Sequence, residues 1–347
     1  MTLTHSGRHQ KLTRKDFESD QEVRWCPGCG DYAILSAFLK TLPKLGIPRE
    51  NHAIISGIGC AARFPYYVNT YGFHTIHGRA PSFASGLKCA NPDLTVWIIT
   101  GDGDGLSIGG NHLLHCLRRN INVNILLFNN RIYGLTKGQY SPTSEQGKVT
   151  KSTPMGSLES PVNPLRFAMA AEATFVARTM DRDLKHMEEM MTRAVEHKGV
   201  SFVEILQNCI IFNDGAFSSI TDKPVRSDRT LVLEDGKPLI YGKELNKGIK
   251  LVNNQAEIVT FDPKSPPQDL MVHNEKTPSP SRPFVLTDFE YPDFPVPVGV
   301  FRAIERPTYE TGLRAQNEEA RKKKGEGSLD SLLYTAGTWN VEGKTEV

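Results

Sequence analysis

LTVWIITGDGDGLSIGG, residues 94–110, sets an almost continuously apolar, β-branched run against a turn of alternating glycine and aspartate. An apolar run of strand length without polar alternation suits a parallel strand covered on both faces. The same rhythm recurs outward from it. AIISGIG (53–59) is a strand running into a glycine turn, and VNILLFN (123–129), TFVART (174–179) and SFVEILQ (201–207) are further strands. Helical stretches lie between them: 33–42, ended before Pro43; the small-residue run APSFASGLKCA (80–90); LSIGGNHLLHCLRR (106–119); and PLRFAMAAEA (164–173). In DLKHMEEMMTRAVEHKG (183–199), Leu184, Met187, Met191, Ala194 and Val195 fall at helical spacing and Gly199 supplies a stop. Strands alternating with helices predict an α/β fold with a doubly wound, mostly parallel sheet, whose ligands sit at the carboxyl ends of strands.

The chain has 347 residues, 41 basic and 39 acidic side chains and a formal net charge of +2. That balance gives no electrostatic reason to expect nucleic acid. The polar N-terminus lacks a signal-type apolar core, and no run of about 18 apolar residues points to a membrane span. A cytoplasmic protein is expected. Residues 1–20 read as an N-terminal arm, 21–214 as the ligand-binding domain, and 215–347, rich in Pro, Lys, Asp and Glu, as an extended region wrapping the core or a partner.

The GDG at 101–103 and the NN at 129–130 each follow a strand, with 25 residues (104–128) between them. That is room for one helix and one strand, so Asp102 and Asn130 fall at the carboxyl ends of strands that can be neighbours. Mg²⁺ takes oxygen ligands in near-octahedral geometry. Asp102 offers a carboxylate, Asn130 an amide oxygen and Ile132 a backbone carbonyl. A diphosphate supplies the rest. Gly101, Gly103 and Gly105 let the backbone approach phosphates, and the following helix points its N-terminus at them. GDG with NN at this spacing resembles the thiamine diphosphate signature. A lone GDG is weak; placed after two successive strands the pair is specific.

Six cysteines without a secretory context argue against a disulfide scaffold. Cys26 and Cys29 sit in a tight CPGCG loop. Cys60 follows the glycine turn of 57–59, beside Ile58 and Gly59, and Cys209 lies just beyond strand 201–207. Two of these are strand ends on the edge that carries Asp102 and Asn130, so four thiols can converge near the cofactor. One knuckle and two distant cysteines fit an iron–sulfur cluster bound across a fold, and zinc stays open on sequence alone. Cys89 and Cys116 read as buried core thiols.

WCPGCG (25–30), GIGC (57–60), HTIHGRAPSFASGLK (74–88), GDGDGLSIGG (101–110) and NNRIYGLTKGQYSPTS (129–144) occur in that order. QNCIIFND (207–214) and FPVPVGVFRAIERPTYE (294–310) follow. Together they resemble the β subunit of 2-oxoacid:ferredoxin oxidoreductases, over about residues 20–310. The resemblance implies thiamine diphosphate, Mg²⁺ on Asp102, Asn130 and Ile132, and one [4Fe–4S] cluster on Cys26, Cys29, Cys60 and Cys209. It implies an α subunit that covers the cofactor and supplies the glutamate activating its aminopyrimidine ring, in an αβ assembly or a dimer of αβ. The reaction implied is oxidative decarboxylation of a 2-oxoacid with coenzyme A, its electrons passing through the cluster to ferredoxin.

YGLTKGQ (133–139) resembles the 2-oxoglutarate branch, where pyruvate enzymes tend to carry Asn-Thr-Gly in place of Leu135, Thr136 and Lys137. Lys137 can pair with the distal carboxylate of 2-oxoglutarate, a contact pyruvate cannot return. Arg63 is a second candidate for that role, and Leu135 shares the loop. His77 and Arg79 are expected near the diphosphate, with Gly101, Gly103, Asp104, Thr136 and Gln139 as further cofactor-loop residues. A pyruvate or broad-specificity enzyme of the same family is the alternative. A non-redox thiamine decarboxylase or carboligase with zinc-binding cysteines is another. Such an enzyme usually carries its own pyrimidine-binding domain, and the sequence shows no obvious second α/β domain, which counts against it.

Overall fold

Apolar β-branched runs bounded by glycine turns fold as strands, and the computed structural model, which describes residues 12–253, 255–335, 337–339 and 341, has eleven of them among those residues. They are β1 (His52–Ser56), β2 (Tyr71–His74), β3 (Thr95–Gly101), β4 (Asn124–Asn129), β5 (Phe175–Met180), β6 (Ser201–Leu206), β7 (Thr230–Leu233), β8 (Ile240–Tyr241), β9 (Lys247–Val252), β10 (Gln255–Thr260) and β11 (Val296–Ala303). Eight form one sheet in the order β2-β1-β3-β4-β6-β5-β11-β7, and β10-β9-β8 form a small antiparallel sheet. The six strands from β2 to β5 are parallel, and β11 enters antiparallel to β5. The expected doubly wound α/β sheet is present, and β3 and β4 pair directly, Gly101 opposite Phe128.

Both faces of the sheet are covered. Ile98, Ile125 and Phe202 pack on one side with Ala84 of helix Ala80–Ala90, Leu113 and Leu117 of helix Gly110–Arg118 and Met169 of helix Pro164–Ala170. Trp97, Phe128 and Ile205 face the other side with Phe38 of helix Asp31–Thr41 and Met187 and Met191 of helix Leu184–Glu196. Every residue of β4, β5 and β6 is buried, which is why these strands read as mainly apolar runs, broken in β5 and β6 by Arg178 and Glu204.

Three expectations change. The single helix over 106–119 is two: Asp102–Leu106, then Gly110–Arg118. The break lies where two glycine backbones cross, since a Cβ on Gly109 would fall 2.5 Å from the Asp104 carbonyl oxygen and 2.9 Å from Gly78 Cα. The region beyond 214 does more than wrap: β7 and β11 extend the main sheet, and Leu286, Phe289 and Phe301 join its core. The arm is docked from residue 12, with Phe17 fully buried against the His52 ring. Residues 1–11 lie outside the described ones.

Candidate active site

Parallel strands put their carboxyl ends on one edge, and the motifs meet there. Asp102 opens the helical turn after β3, Asn130 follows β4, the Gly57–Cys60 turn follows β1, and Gln207–Cys209 follow β6. A cavity of about 270 Å³ at this edge is lined by Ile58, Gly59, His77, Gly101, Asp102, Gly103, Asp104, Asn130, Ile132, Leu135 and Thr136. The sequence singled out these residues; Asp31, Ala61, Ser107, Ile108, Phe128, Tyr133 and Gly134, which line the same cavity, it did not.

The two aspartates of GDGD differ. Asp104 is spent on structure: Oδ1 accepts the backbone N–H of Ile58 (3.1 Å) and of Gly78 (2.7 Å), and Oδ2 accepts the Thr100 hydroxyl (2.7 Å). It ties the β1 turn, the HGRA loop and β3 together. Its expected part in the cofactor site is therefore that of a scaffold. Asp102, 2 % exposed, accepts the hydroxyls of Ser141 (2.5 Å) and Thr143 (2.6 Å) on Oδ2. Burial raises its carboxyl above the usual carboxylate range, and the two hydroxyls oppose that rise. Such a carboxylate suits a cation that restores the lost solvation.

Asn130 Oδ1 accepts the Ile132 N–H (3.1 Å), and the Asn130 carbonyl is held by Asn213 Nδ2 (2.9 Å). With Asp102 and the Ile132 carbonyl this is an all-oxygen donor set, which fits Mg²⁺. Tyr133 packs its ring across Gly103, where a Cβ would lie 2.2 Å from the ring, and its hydroxyl donates to the Gly103 carbonyl (3.0 Å). Only glycine fits there.

The cysteine loops dock beside this cavity. The Gly30 N–H donates to the Asn208 carbonyl (3.0 Å), Gln207 Nε2 to Cys29 Sγ (3.2 Å), and Trp25 Nε1 to the Cys60 carbonyl (2.7 Å). A Cβ on Gly134 would sit 3.4 Å from Cys60 Sγ and 3.6 Å from Cys209 Sγ, so two thiols flank the loop that lines the cofactor cavity. Burial pushes the thiols of Cys29, Cys60 and Cys209 up, Cys60 to about 12. Backbone N–H groups of residues 211–213 pull Cys209 the other way. Buried thiols of this kind ionise when a metal takes them. Among the described residues no three His, Cys, Asp or Glu side chains stand close enough to share a single metal ion. A zinc ion about 2.3 Å from each sulfur would contract them into one tetrahedron. Cys116 is a core thiol at 2 % exposure, as expected, and Cys89 is half-buried beside the same core.

A neighbouring cavity of about 530 Å³ shares Ile58, Gly59 and Leu135 with the first and is lined by Arg63, Tyr66 and His74. Arg63 thus lines the cavity that adjoins the cofactor edge. Lys137 lines neither cavity; it is exposed, at a left-handed φ of 75°. Thr136 and Gln139 bond to one another through their side chains, closing the loop. Arg79 Nη1 donates to the Ile108 carbonyl (3.2 Å) and so braces the broken helix.

Sequence reasoning missed Ser141, Thr143, Tyr133 and the residues behind Asn129. The hydroxyls of SPTS lay inside a quoted motif, but nothing local links them to an aspartate some 40 positions earlier. The better signal was a charge within an apolar strand: Glu204 in SFVEIL and Arg178 in FVARTM. They stand opposite each other in the β5–β6 register and form a buried ion pair (2.7 Å).

Residues 57–205 match the thiamine pyrophosphate enzyme family, in its C-terminal TPP binding domain. Over 336 residues the chain is 52 % identical to the 2-oxoglutarate oxidoreductase subunit KorB of Mycobacterium tuberculosis, covering 94 % of this chain and 88 % of that protein. It is 44 % identical over 211 residues to the 2-oxoacid:ferredoxin oxidoreductase 1 subunit beta of Aeropyrum pernix, covering 61 % and 65 %. Its fold superposes with a TM-score of 0.73 and 32 % identity on a solved 2-oxoglutarate:ferredoxin oxidoreductase from Magnetococcus marinus, over 93 % of this chain and 95 % of that one. That structure holds 2-oxoglutarate, coenzyme A and succinyl-CoA.

Proposed function

Because this chain belongs to the β subunits of the 2-oxoacid:ferredoxin oxidoreductases, we propose that with an α partner it converts 2-oxoglutarate and coenzyme A to succinyl-CoA and CO₂, and passes the electrons to ferredoxin. The observation that carries this reading is the meeting at one strand-end edge of Asp102 and Asn130 with two thiols flanking Gly134. Thiamine diphosphate supplies an electron sink for loss of CO₂ from a 2-oxoacid, and a [4Fe–4S] cluster accepts electrons singly.

The chain's own residues bind and orient. Asp102, Asn130 and the Ile132 carbonyl hold Mg²⁺, and Gly101 and Gly103 keep the backbone low enough for the diphosphate. Asp104 fixes the three segments around it, and His77 lines the diphosphate side. Cys26, Cys29, Cys60 and Cys209 hold the cluster, whose several irons separate its thiolates further than one zinc ion does. Two of these thiols, Cys60 and Cys209, flank Gly134 beside the cofactor cavity, which supports a cluster close enough to take electrons from it. Leu135 and Arg63, shared between or beside the two cavities, form the substrate end, with Arg63 as a partner for the distal carboxylate; Lys137, outside both cavities but on the same loop as Leu135, is the second candidate.

The carboxylates lining the cofactor cavity among the described residues are Asp31, Asp102 and Asp104, with no glutamate. The likeness to β subunits of multi-subunit enzymes supports an α subunit that completes the site, in αβ or a dimer of αβ. No described helix is long and apolar enough to cross a membrane.

Substrate choice is tested by comparing 2-oxoglutarate and pyruvate as reductants of ferredoxin in the αβ enzyme. Lys137→Ala and Arg63→Ala are expected to raise KM for 2-oxoglutarate at least tenfold, about the worth of a charge-assisted pair, and to leave KM for pyruvate nearly unchanged. Equal effects on both substrates would remove these two residues from the carboxylate site.

A further inference from the structure

A chain of buried hydrogen bonds runs from Asp102 away from the cofactor cavity into the sheet. Thr143 Oγ1 lies 2.6 Å from Asp102 Oδ2 and 2.9 Å from Asn129 Oδ1. Asn129 Nδ2 donates to Glu204 Oε1 (2.7 Å), and Arg178 Nε donates to Glu204 Oε2 (2.7 Å). Glu204 is fully buried, Asn129 3 % exposed and Arg178 7 %. None of these four belongs to the cofactor cavity; all four line a separate one of about 380 Å³.

The donors and acceptors do not balance at Thr143. A hydroxyl carries one proton, and a carboxylate only accepts. Asn129 must turn its NH₂ toward Glu204, because Glu204 has nothing to donate. Its carbonyl oxygen then faces Thr143, and the Arg131 N–H at 3.3 Å from the same oxygen agrees with that orientation. Two acceptors, Asp102 and Asn129, therefore compete for one Thr143 proton. While Asn129 takes it, Asp102 loses one of its two hydroxyl bonds, keeping Ser141 and the backbone N–H groups of Gly103 and Asn130, and presents more of its charge to a cation.

We propose that the Glu204–Arg178 pair is a positioning device for the metal site: by locking the Asn129 amide it draws the Thr143 proton away from Asp102 and strengthens cation binding there. The inference rests on Asp102 being the metal ligand. With the pair absent, Asn129 is free to rotate and donate its NH₂ to Thr143, whose proton then goes to Asp102 permanently. Arg178 compensates the Glu204 charge, which lets a carboxylate sit fully buried at this point.

The test uses the chain purified with its α partner and Mn²⁺ as probe, counted as free ion by electron paramagnetic resonance in the presence of thiamine diphosphate. Replacing the pair together, Glu204→Leu with Arg178→Met, leaves no lone buried charge, a change that is often neutral for stability. Mn²⁺ affinity is expected to fall roughly 10–100-fold, the range for residues behind a metal ligand. In a Thr143→Val background the same replacement is expected to have no further effect, because the proton in dispute is gone. Equal weakening in both backgrounds would mean that the pair only supports the fold, and no weakening in either would also overturn the proposal. If the paired variant does not fold, Asn129→Ala in the two backgrounds gives the same comparison. Failure of the unmodified complex to bind Mn²⁺ with thiamine diphosphate would instead remove Asp102 as metal ligand.

Discussion

Asp102 and Asp104 are one glycine apart and are held in opposite ways. Asp102 is buried with two hydroxyls on one oxygen, and the fold disfavours its charge. Asp102→Asn is therefore expected to leave the melting temperature unchanged or slightly raised while abolishing Mg²⁺-dependent thiamine diphosphate binding, measured by calorimetry. Active-site groups commonly trade stability for function in this way. Asp104 accepts three bonds from three segments. Asp104→Ala leaves the N–H groups of Ile58 and Gly78 without acceptors, at about 1–3 kcal/mol each. It should cost roughly 2–6 kcal/mol in urea unfolding, which a surface aspartate would not. Both aspartates were visible in the sequence as one motif. Their division of labour was not, because Asp104's partners lie up to 46 positions away.

His52 opens β1, fully buried, with the Trp97 indole N–H 3.4 Å from its Nδ1 and the Phe17 ring edge-on at 5.9 Å. Burial lowers its pKa from 6.5 to about 4. The unfolded chain therefore binds more protons between those values. The stability His52 contributes is whole above pH 6.5 and is lost as pH falls toward 4, by roughly 1.4 kcal/mol per unit. His52→Gln should flatten the decline in stability between pH 6.5 and 5 relative to the unmodified protein; parallel profiles would remove His52 as its source. At this scale the buried central strands were legible because burial on both faces writes a mainly apolar run. β2 was missed because Tyr71, Gly72 and Phe73 are exposed and the strand is only four residues long. β11 was missed because Pro297 and Gly299 in PVPVGVF argue against a strand, yet it lies between β5 and β7 with a bulge between Val300 and Arg302.

Across the whole molecule, one sheet carries both the site and the chain's late segments. β11 comes from beyond residue 290 and pairs with β5, next to the β6 strand that leads to Cys209. Ending the chain before Val296 should thus unfold the protein and not merely trim a wrap. Proteolysis and circular dichroism of such a truncation would show a disordered chain, whereas a folded, cofactor-binding remnant would contradict the role of β11. The CPGCG loop and the strand-end turns had to be brought to one edge before Cys60 and Cys209 could be seen to flank one loop, with Cys29 docked on Gln207 beside them. Order along the chain predicted the edge but not the distances. The most direct test is the visible spectrum of the αβ complex, purified anaerobically, before and after 2-oxoglutarate with coenzyme A. A broad iron–sulfur absorption, lost in a Cys209→Ser variant and bleached by substrate, is the predicted result. A colourless complex holding stoichiometric zinc, or a coloured one that 2-oxoglutarate does not bleach, would contradict it.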